Sequence, residues 1–377
     1  MAYFRKRNEK WSFTIDIGID ENGKRKQKTL SGFNTKKEAQ VACAELVNKV
    51  SRGEYIEQTN KTLREFMNEW MDLQIKQTVR ISTYENYYRA INKRILPVLG
   101  HLKLKEITPA HIQRFYKELV EEGLTAEYIR YLHSLLKNAL RFAVKWQLIA
   151  KNMVDLVDPP RINRKEKDTW TMEQSNRLLG EAKNSNPNYY ILYFLAVYTG
   201  MRRGELLGLQ WKDIDFNEGK ISVSRTSVVV NGGNYLFHEP KTSSSNRLIS
   251  IPEIVLNELR RHQLQQRKQK LYVGKAYEDW DLVAATELGK PIHPKSLTDH
   301  FHRMIKKADI PKIRFHDLRH THATLLLKLG EHPKIVSERL GHHNIHMTLN
   351  TYSHVMPDMQ KATADNFAKA MDRVSEL

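Results

Sequence analysis

His316-Asp317-Leu318-Arg319-His320-Thr321-His322-Ala323-Thr324 is the stretch around which the rest of the chain can be organised. Downstream lie Leu340-Gly341-His342 and Thr351-Tyr352-Ser353-His354, with the tyrosine ten residues after His342. Upstream lie Thr199-Gly200-Met201-Arg202-Arg203-Gly204-Glu205, which follows an apolar stretch at 190–197, and Glu239-Pro240-Lys241-Thr242, beside a predicted hairpin. A lone His-x-x-Arg carries almost no information, but these five segments in this order form a specific combination.

Outward from this region the chain divides into three parts. Residues 170–377 read as a mixed α+β domain, with short strands expected around 220–251 and Asn231-Gly232-Gly233 as a turn. Its tail repeats Ala364, Phe367, Met371 and Val374 every three or four positions, the spacing of one helix face. Asp158-Pro159-Pro160 opens a linker that also carries Arg161, Arg164, Lys165 and Lys167, with Glu166 and Asp168 among them. Residues 60–157 read as an all-helical domain of four helices. Two start at the capping boxes Thr62-Leu63-Arg64-Glu65 and Ser82-Thr83-Tyr84-Glu85. The third starts at Thr108-Pro109 and ends near Gly123, and the last runs from about Ala126 to Leu148.

Residues 1–55 read as a three-stranded sheet plus a helix. Trp11, Phe13, Ile15 and Ile17 alternate with Ser12, Thr14 and Asp16, the pattern of a half-buried strand, and Asn22-Gly23 signals a hairpin. The returning strand carries Lys24, Arg25, Lys26 and Lys28, and Thr35-Lys36-Lys37-Glu38 is a capping box. This unit holds 12 Lys and Arg against 7 Asp and Glu. A sheet this short with so basic a strand can lie on DNA, or the strand can be an ordinary solvated edge. Gly18-Ile19-Asp20-Glu21-Asn22-Gly23-Lys24 imitates a phosphate loop, but Arg25 stands where a Ser or Thr would hold magnesium, and no helix is expected next.

The 377 residues carry a formal charge of +18. Such a surplus points to a polyanionic partner, and nucleic acid fits because each phosphate neutralised releases a counterion. No apolar run is long enough to span a bilayer, and the start lacks the apolar segment of a signal peptide. Cys43 is the only cysteine, which suits a reducing cytoplasm and leaves a structural zinc site unexpected despite the clustered histidines.

Taken together, the His-x-x-Arg, Leu-Gly-His and tyrosine segments resemble the tyrosine recombinases, particularly the integrases of phages and other mobile elements. The resemblance covers residues 170–360 strongly, the helical domain at 60–157 moderately and the basic unit at 1–55, similar to an arm-type DNA-binding domain, more weakly. It implies a site-specific DNA recombinase that cleaves and rejoins strands through a 3′-phosphotyrosine, with Tyr352 as nucleophile. Arg202 and Arg319 match the family's two arginines, whose forks suit phosphate oxygens. Arg202 is chosen over Arg203 by its spacing to Glu205, its expected support. His316 is the candidate base, Lys241 the candidate acid for the leaving 5′ oxygen, and His342 a hydrogen-bond donor to the phosphate. His320, His322, His343 and His346 are extra histidines that leave the imidazole roles open.

The resemblance further implies a homotetramer on two double-stranded DNA sites, integration or excision of a mobile element, and a tail that docks on the neighbouring subunit. Core and arm-type DNA sites, an excision directionality factor and a host DNA-bending protein are the expected partners, with no cofactor, metal or membrane. Two rivals are a type IB topoisomerase and a non-catalytic DNA-binding protein on a decayed scaffold.

Overall fold

The structure is a computed structural model that describes residues 2–19, 24–51, 59–162, 168–229, 235–238, 246–341, 364 and 368. Lys241, His342, His343, His346 and Tyr352 lie outside the described residues, as do the Asn22-Gly23 and Asn231-Gly232-Gly233 turns and, of the tail pattern, Phe367, Met371 and Val374. The chain forms two compact units, Met1–Asn163 and Arg164–Leu377.

In the first unit, strands β1 (Tyr3–Arg7), β2 (Lys10–Ile19) and β3 (Arg25–Phe33) form an antiparallel sheet with β2 in the middle. Helix α1 (Lys36–Ser51) covers one face, where Phe13 and Ile15 pack with Ala39 and Cys43. Thr35 Oγ1 accepts from the Glu38 amide at 3.1 Å, while Glu38 reaches back to the Asn34 amide, one residue earlier than a standard capping box. The β2–β3 register shifts between Asp16 and Gly18, and Gly18 sits at φ 132°, a bulge conformation open to glycine. In the stretch that resembles a phosphate loop, Arg25 opens a strand, not a helix.

The rest of this unit is helical. Helix α2 (Leu63–Trp70) continues through a π turn at Met71–Ile75 and ends in Lys76–Thr78. Helix α3 (Ile81–Ala90) continues through a second π turn at Ile91–Ile95 into Leu96–Leu99. Pro97 follows that turn, and its ring cannot accommodate the carbonyl four residues back in a regular helix. Helices α4 (Pro109–Glu121) and α5 (Ala126–Lys145) complete the four. Their apolar faces bury Phe66, Trp70, Phe115, Leu132 and Leu136 in one core. The box at Thr62 forms, and Thr108 is the N-cap of its helix with Pro109 in the first position, as expected. The box at Ser82 does not form: Arg80 is the N-cap, and its carbonyl already accepts from Thr83 and Tyr84.

The second unit is built round α7 (Pro187–Thr199), apolar on all sides and buried from Tyr190 to Ala196. Around it lie α6 (Met172–Lys183), α8 (Arg203–Leu207), α9 (Glu253–Val273), α10 (Pro294–Ala308), α11 (Asp317–Lys328) and α12 (Pro333–Leu340). Strands β4 (Ile214–Asp215), β5 (Lys220–Val223) and β8 (Arg247–Ser250) form one small antiparallel sheet. Strands β6 (Thr226–Val229) and β7 (Tyr235–His238) pair separately, Val229 opposite Tyr235, as the expected hairpin requires. The chain is thus mainly helical with small sheets. No helix among the described residues is long and apolar enough to cross a membrane.

Candidate active site and nucleic-acid interface

Two glycines bring the site segments together. Gly200 ends α7 at φ 64°, and a Cβ there would lie 2.6 Å from the His322 ring and 2.7 Å from a Leu340 methyl carbon. Gly341 ends α12 in the same left-handed conformation. Glycine at position 200 therefore lets the ends of α7 and α12 meet the middle of α11. The two candidate arginines then reach the same turn. Arg202 donates through Nη2 to the Gly341 carbonyl at 3.0 Å. Arg319 donates through one Nη to the Gly200 carbonyl at 2.9 Å and through the other to the Leu340 carbonyl at 2.5 Å. Both guanidiniums thus converge on the residues immediately before His342. Arg319 is buried, whereas the Arg202 side chain is 36% exposed and can meet a ligand.

Glu205 holds this arrangement from beneath. Its carboxylate, 4% exposed, accepts from the Arg202 amide at 2.8 Å and from Arg202 Nη1 at 2.7 Å. It also accepts from both terminal nitrogens of the buried Arg247, at 3.2 and 2.9 Å. Burial by itself would raise the carboxyl pKa. The Arg247 hydrogen bonds and charge, with help from Arg202, outweigh it and hold Glu205 below its ordinary value. Arg203 points elsewhere, donating to Thr298 Oγ1 at 3.2 Å. The two adjacent arginines thus have different partners, Glu205 for Arg202 and Thr298 for Arg203.

His316 is exposed at the start of α11, its ring nearly perpendicular to that of His320, centroids 5.4 Å apart. Next to it, Asp317 is gripped by the Arg314 guanidinium at 2.9 and 3.0 Å. His320 and His322 are buried. His322 is tied into the scaffold: Nδ1 meets the Val197 carbonyl at 2.8 Å and Nε2 accepts from Arg339 at 3.2 Å. Burial, then the Arg339 charge, push its pKa down to about 4. His322 therefore stays neutral near pH 7. Its neutral form contributes stability above the ordinary histidine pKa near 6.5, and that contribution falls away as pH drops towards 4. At 1.36 kcal/mol per unit, about 2 kcal/mol should be lost by pH 5. Urea unfolding at pH 7 and pH 5 checks this, because His322→Gln should lose correspondingly less than wild type, while the other described histidines with lowered pKa, His133, His262 and His300, cancel in the difference.

Sequence reading missed Arg247 and Arg339. Arg339 donates to His322, Ser250 and Tyr198, and so clamps α12 to α7 and β8. Both arginines are ordinary by local pattern, and their partners lie far away in the chain.

In the N-terminal unit, strand alternation sorts the basic residues. Lys28 pairs with the buried Ile15 and shares the helix-covered face, as does Lys26 two residues earlier. Arg25 lies on the opposite, open face with Gln27 and Thr29. Register adds Arg5, paired with Ser12, and Arg7, paired with Lys10, to that open face. Lys24 is exposed just before β3. Arg5, Arg7 and Lys10 are the residues the sequence reading passed over, although alternation from Phe4 would have placed Arg5 and Arg7, and alternation from Trp11 would have placed Lys10.

Comparison with known proteins agrees with this geometry. Residues 169–359 match the phage integrase family. The chain belongs to that family. It is a tyrosine-type site-specific DNA recombinase. Residues 62–120 of the recombinase match the phage integrase N-terminal SAM-like domain, and residues 1–50 an arm DNA-binding domain. It is 33% identical to a XerC-like tyrosine recombinase of Caldanaerobacter subterraneus, over 96% of each chain. It is 28% identical to the ICEBs1 integrase of Bacillus subtilis, over 97% of this chain and 98% of the relative. In fold it is similar to a Tn1549 transposon integrase solved with circular intermediate DNA, with a TM-score of 0.69 and 24% identity over 81% of this chain and 99% of that one. A lambda integrase tetramer on a Holliday junction matches with a TM-score of 0.57 and 20% identity over 90% and 95% of the two chains.

Proposed function

We propose that the recombinase cleaves each DNA strand by attack of Tyr352 on a phosphate held by Arg202, Arg319 and His342. The observation that supports this best is the convergence of Arg202 and Arg319 on the Leu340-Gly341 turn, from which the chain runs directly into His342 and, ten residues later, Tyr352. Negative charge grows on the non-bridging oxygens as the phenol attacks, and two fixed guanidiniums match it with little reorganisation. A phenol with an ordinary pKa near 10 is mostly protonated at neutral pH, so a base is needed, and the exposed His316 is the group proposed. Glu205 acts through Arg202 as its support. The covalent 3′-phosphotyrosine keeps the energy of the phosphodiester, so rejoining proceeds without ATP or metal.

Lys241 is proposed to protonate the leaving 5′ oxygen. Lys241→Ala should slow cleavage of an ordinary substrate by about 10²–10⁴-fold, the usual range for a lost general acid. A substrate with sulfur at the 5′ bridging position needs no such proton, so it should be cut by the variant at near the wild-type rate. An equal defect on both substrates would assign Lys241 to DNA binding instead.

The proposed assembly is a homotetramer that exchanges strands between two duplex sites during integration or excision of a mobile element. The N-terminal unit is proposed to hold separate arm-type sites through Lys24, Arg25, Lys26 and Lys28, joined by Arg5 and Arg7. Removing residues 1–55 should leave cleavage of a core-site fragment largely intact and sharply reduce integration. Within that unit, replacing Arg5, Arg7 and Arg25 should weaken arm-site binding more than replacing Lys26 and Lys28, as measured by band shift. Equal integration by the truncated and full-length proteins would remove the arm-site role.

A further inference from the structure

We infer that Arg314 and Asp317 are positioning residues that brace the turn carrying His316 and so fix the direction in which its imidazole is presented. The inference rests on the reading of His316 as the base. Around the turn the chain alternates between core and surface: Ile313, Phe315 and Asp317 are buried, while Arg314 and His316 are exposed. Phe315 is held in the core, its ring centroid 5.3 Å from that of Phe301 and 6.1 Å from that of Tyr193. His316 is thus the surface residue between two anchors, Phe315 and Asp317.

Arg314 and Asp317 close the turn from either side of those residues. Asp317 Oδ2 accepts from the Arg314 amide at 2.9 Å and from Arg314 Nε at 3.0 Å, and Oδ1 accepts from Nη2 at 2.9 Å. The Asp317 amide donates back to the Arg314 carbonyl at 2.8 Å. The two parallel guanidinium bonds fix orientation as well as distance. Burial would raise the Asp317 pKa, but the Arg314 hydrogen bonds and charge outweigh it, so the carboxylate stays ionised and the brace closed at neutral pH. The Arg314 side chain is 74% exposed, so water can take its place at the carboxylate and the pair contributes little to folding. Water cannot reproduce the fixed fork geometry. The braced turn leads directly into α11: the His316 carbonyl accepts from the Arg319 amide at 3.2 Å. His316 and Arg319 are three residues apart, neighbours on one helix face, so the brace also sets the imidazole relative to an arginine already held at Gly200 and Leu340.

The test measures single-turnover cleavage of the nicked core-site duplex by saturating full-length protein, with Kd read separately by band shift. Arg314→Ala should slow the cleavage step by about tenfold to a hundredfold, the cost of an ångström-scale misplacement, and leave Kd unchanged. Arg314→Lys keeps the charge without the fork and should be slowed as well. Asp317→Asn, which removes the charge that draws the fork, should be slowed too. On a His316→Ala background, Arg314→Ala should add nothing further, because it acts through the imidazole. Should Arg314→Ala fail to fold, Arg314→Lys is read in its place in every comparison. A defect confined to Kd and repaired by Arg314→Lys would make Arg314 a phosphate contact and overturn the inference. Full additivity with His316→Ala would overturn it equally. His316→Ala alone should slow cleavage by about 10²–10⁴-fold, and a rate near wild type would remove the reading of His316 as base. If His316→Ala is slow and the Arg314 variants are not, only the brace inference falls.

Discussion

Glu205→Gln is expected to lower stability at pH 7 by about 3–5 kcal/mol, the cost of removing one partner from a buried ion pair. The size follows from what the carboxylate leaves behind. The Arg247 side chain is 6% exposed and points both terminal nitrogens at Glu205, so a neutral amide strands a guanidinium that water cannot reach. The amide must also turn an N–H towards one of the arginines. The sign with pH is fixed. Glu205 has a folded pKa below its ordinary value, so its contribution is complete above the unfolded carboxyl pKa near 4.3 and is lost as pH falls through the lower folded value. The gap between wild type and variant should therefore narrow in acid. Cleavage should fall as well, because Arg202 loses the bond that aims it. Urea unfolding at pH 7 and pH 4, with single-turnover cleavage beside it, measures both. A loss under about 1 kcal/mol would mean that Glu205 behaves like a surface ion pair.

Much of this fold was legible because it follows from local rules. Thr62 and Thr108 announce their helices, and the alternation from Trp11 to Ile17 announces a strand. Ser82 misled because its spacing to Glu85 fits a cap, yet the helix had already begun at Ile81 with the Arg80 carbonyl as first acceptor. Nothing local distinguishes such a serine from a true cap. The candidate site was legible where segments are dense in chemistry, at Arg202, Glu205, His316 and Arg319. Arg247 and Arg339 were not, because their roles arise from partners brought close only by folding: Glu205 for one, and His322, Tyr198 and Ser250 for the other. The histidines show the same division. The pattern offers several imidazoles as equals, and packing commits His322 to the scaffold while leaving His316 exposed.

The central proposal is that Tyr352 is the nucleophile, and Tyr352→Phe tests it with the least disturbance. The substitution removes one oxygen and keeps the ring. A packing tyrosine would lose at most one hydrogen bond, about 0.5–1.5 kcal/mol, and the variant would still recombine DNA. A nucleophile leaves no chemistry behind when it is removed. The tyrosines of α7 offer no substitute: Tyr189, Tyr190, Tyr193 and Tyr198 lie in that helix, and burial pushes the Tyr190 phenol up to about 12 and the Tyr193 phenol higher still, further from the ionised form that attacks. The measurement uses a labelled core-site duplex with a nick that traps the cleaved state, incubated in EDTA without ATP and run on a denaturing gel. Wild type should yield a slow-moving protein–DNA species. Tyr352→Phe should yield none while still shifting the same duplex in a native gel. A covalent species that persists in Tyr352→Phe would contradict the assignment of Tyr352 as the attacking residue.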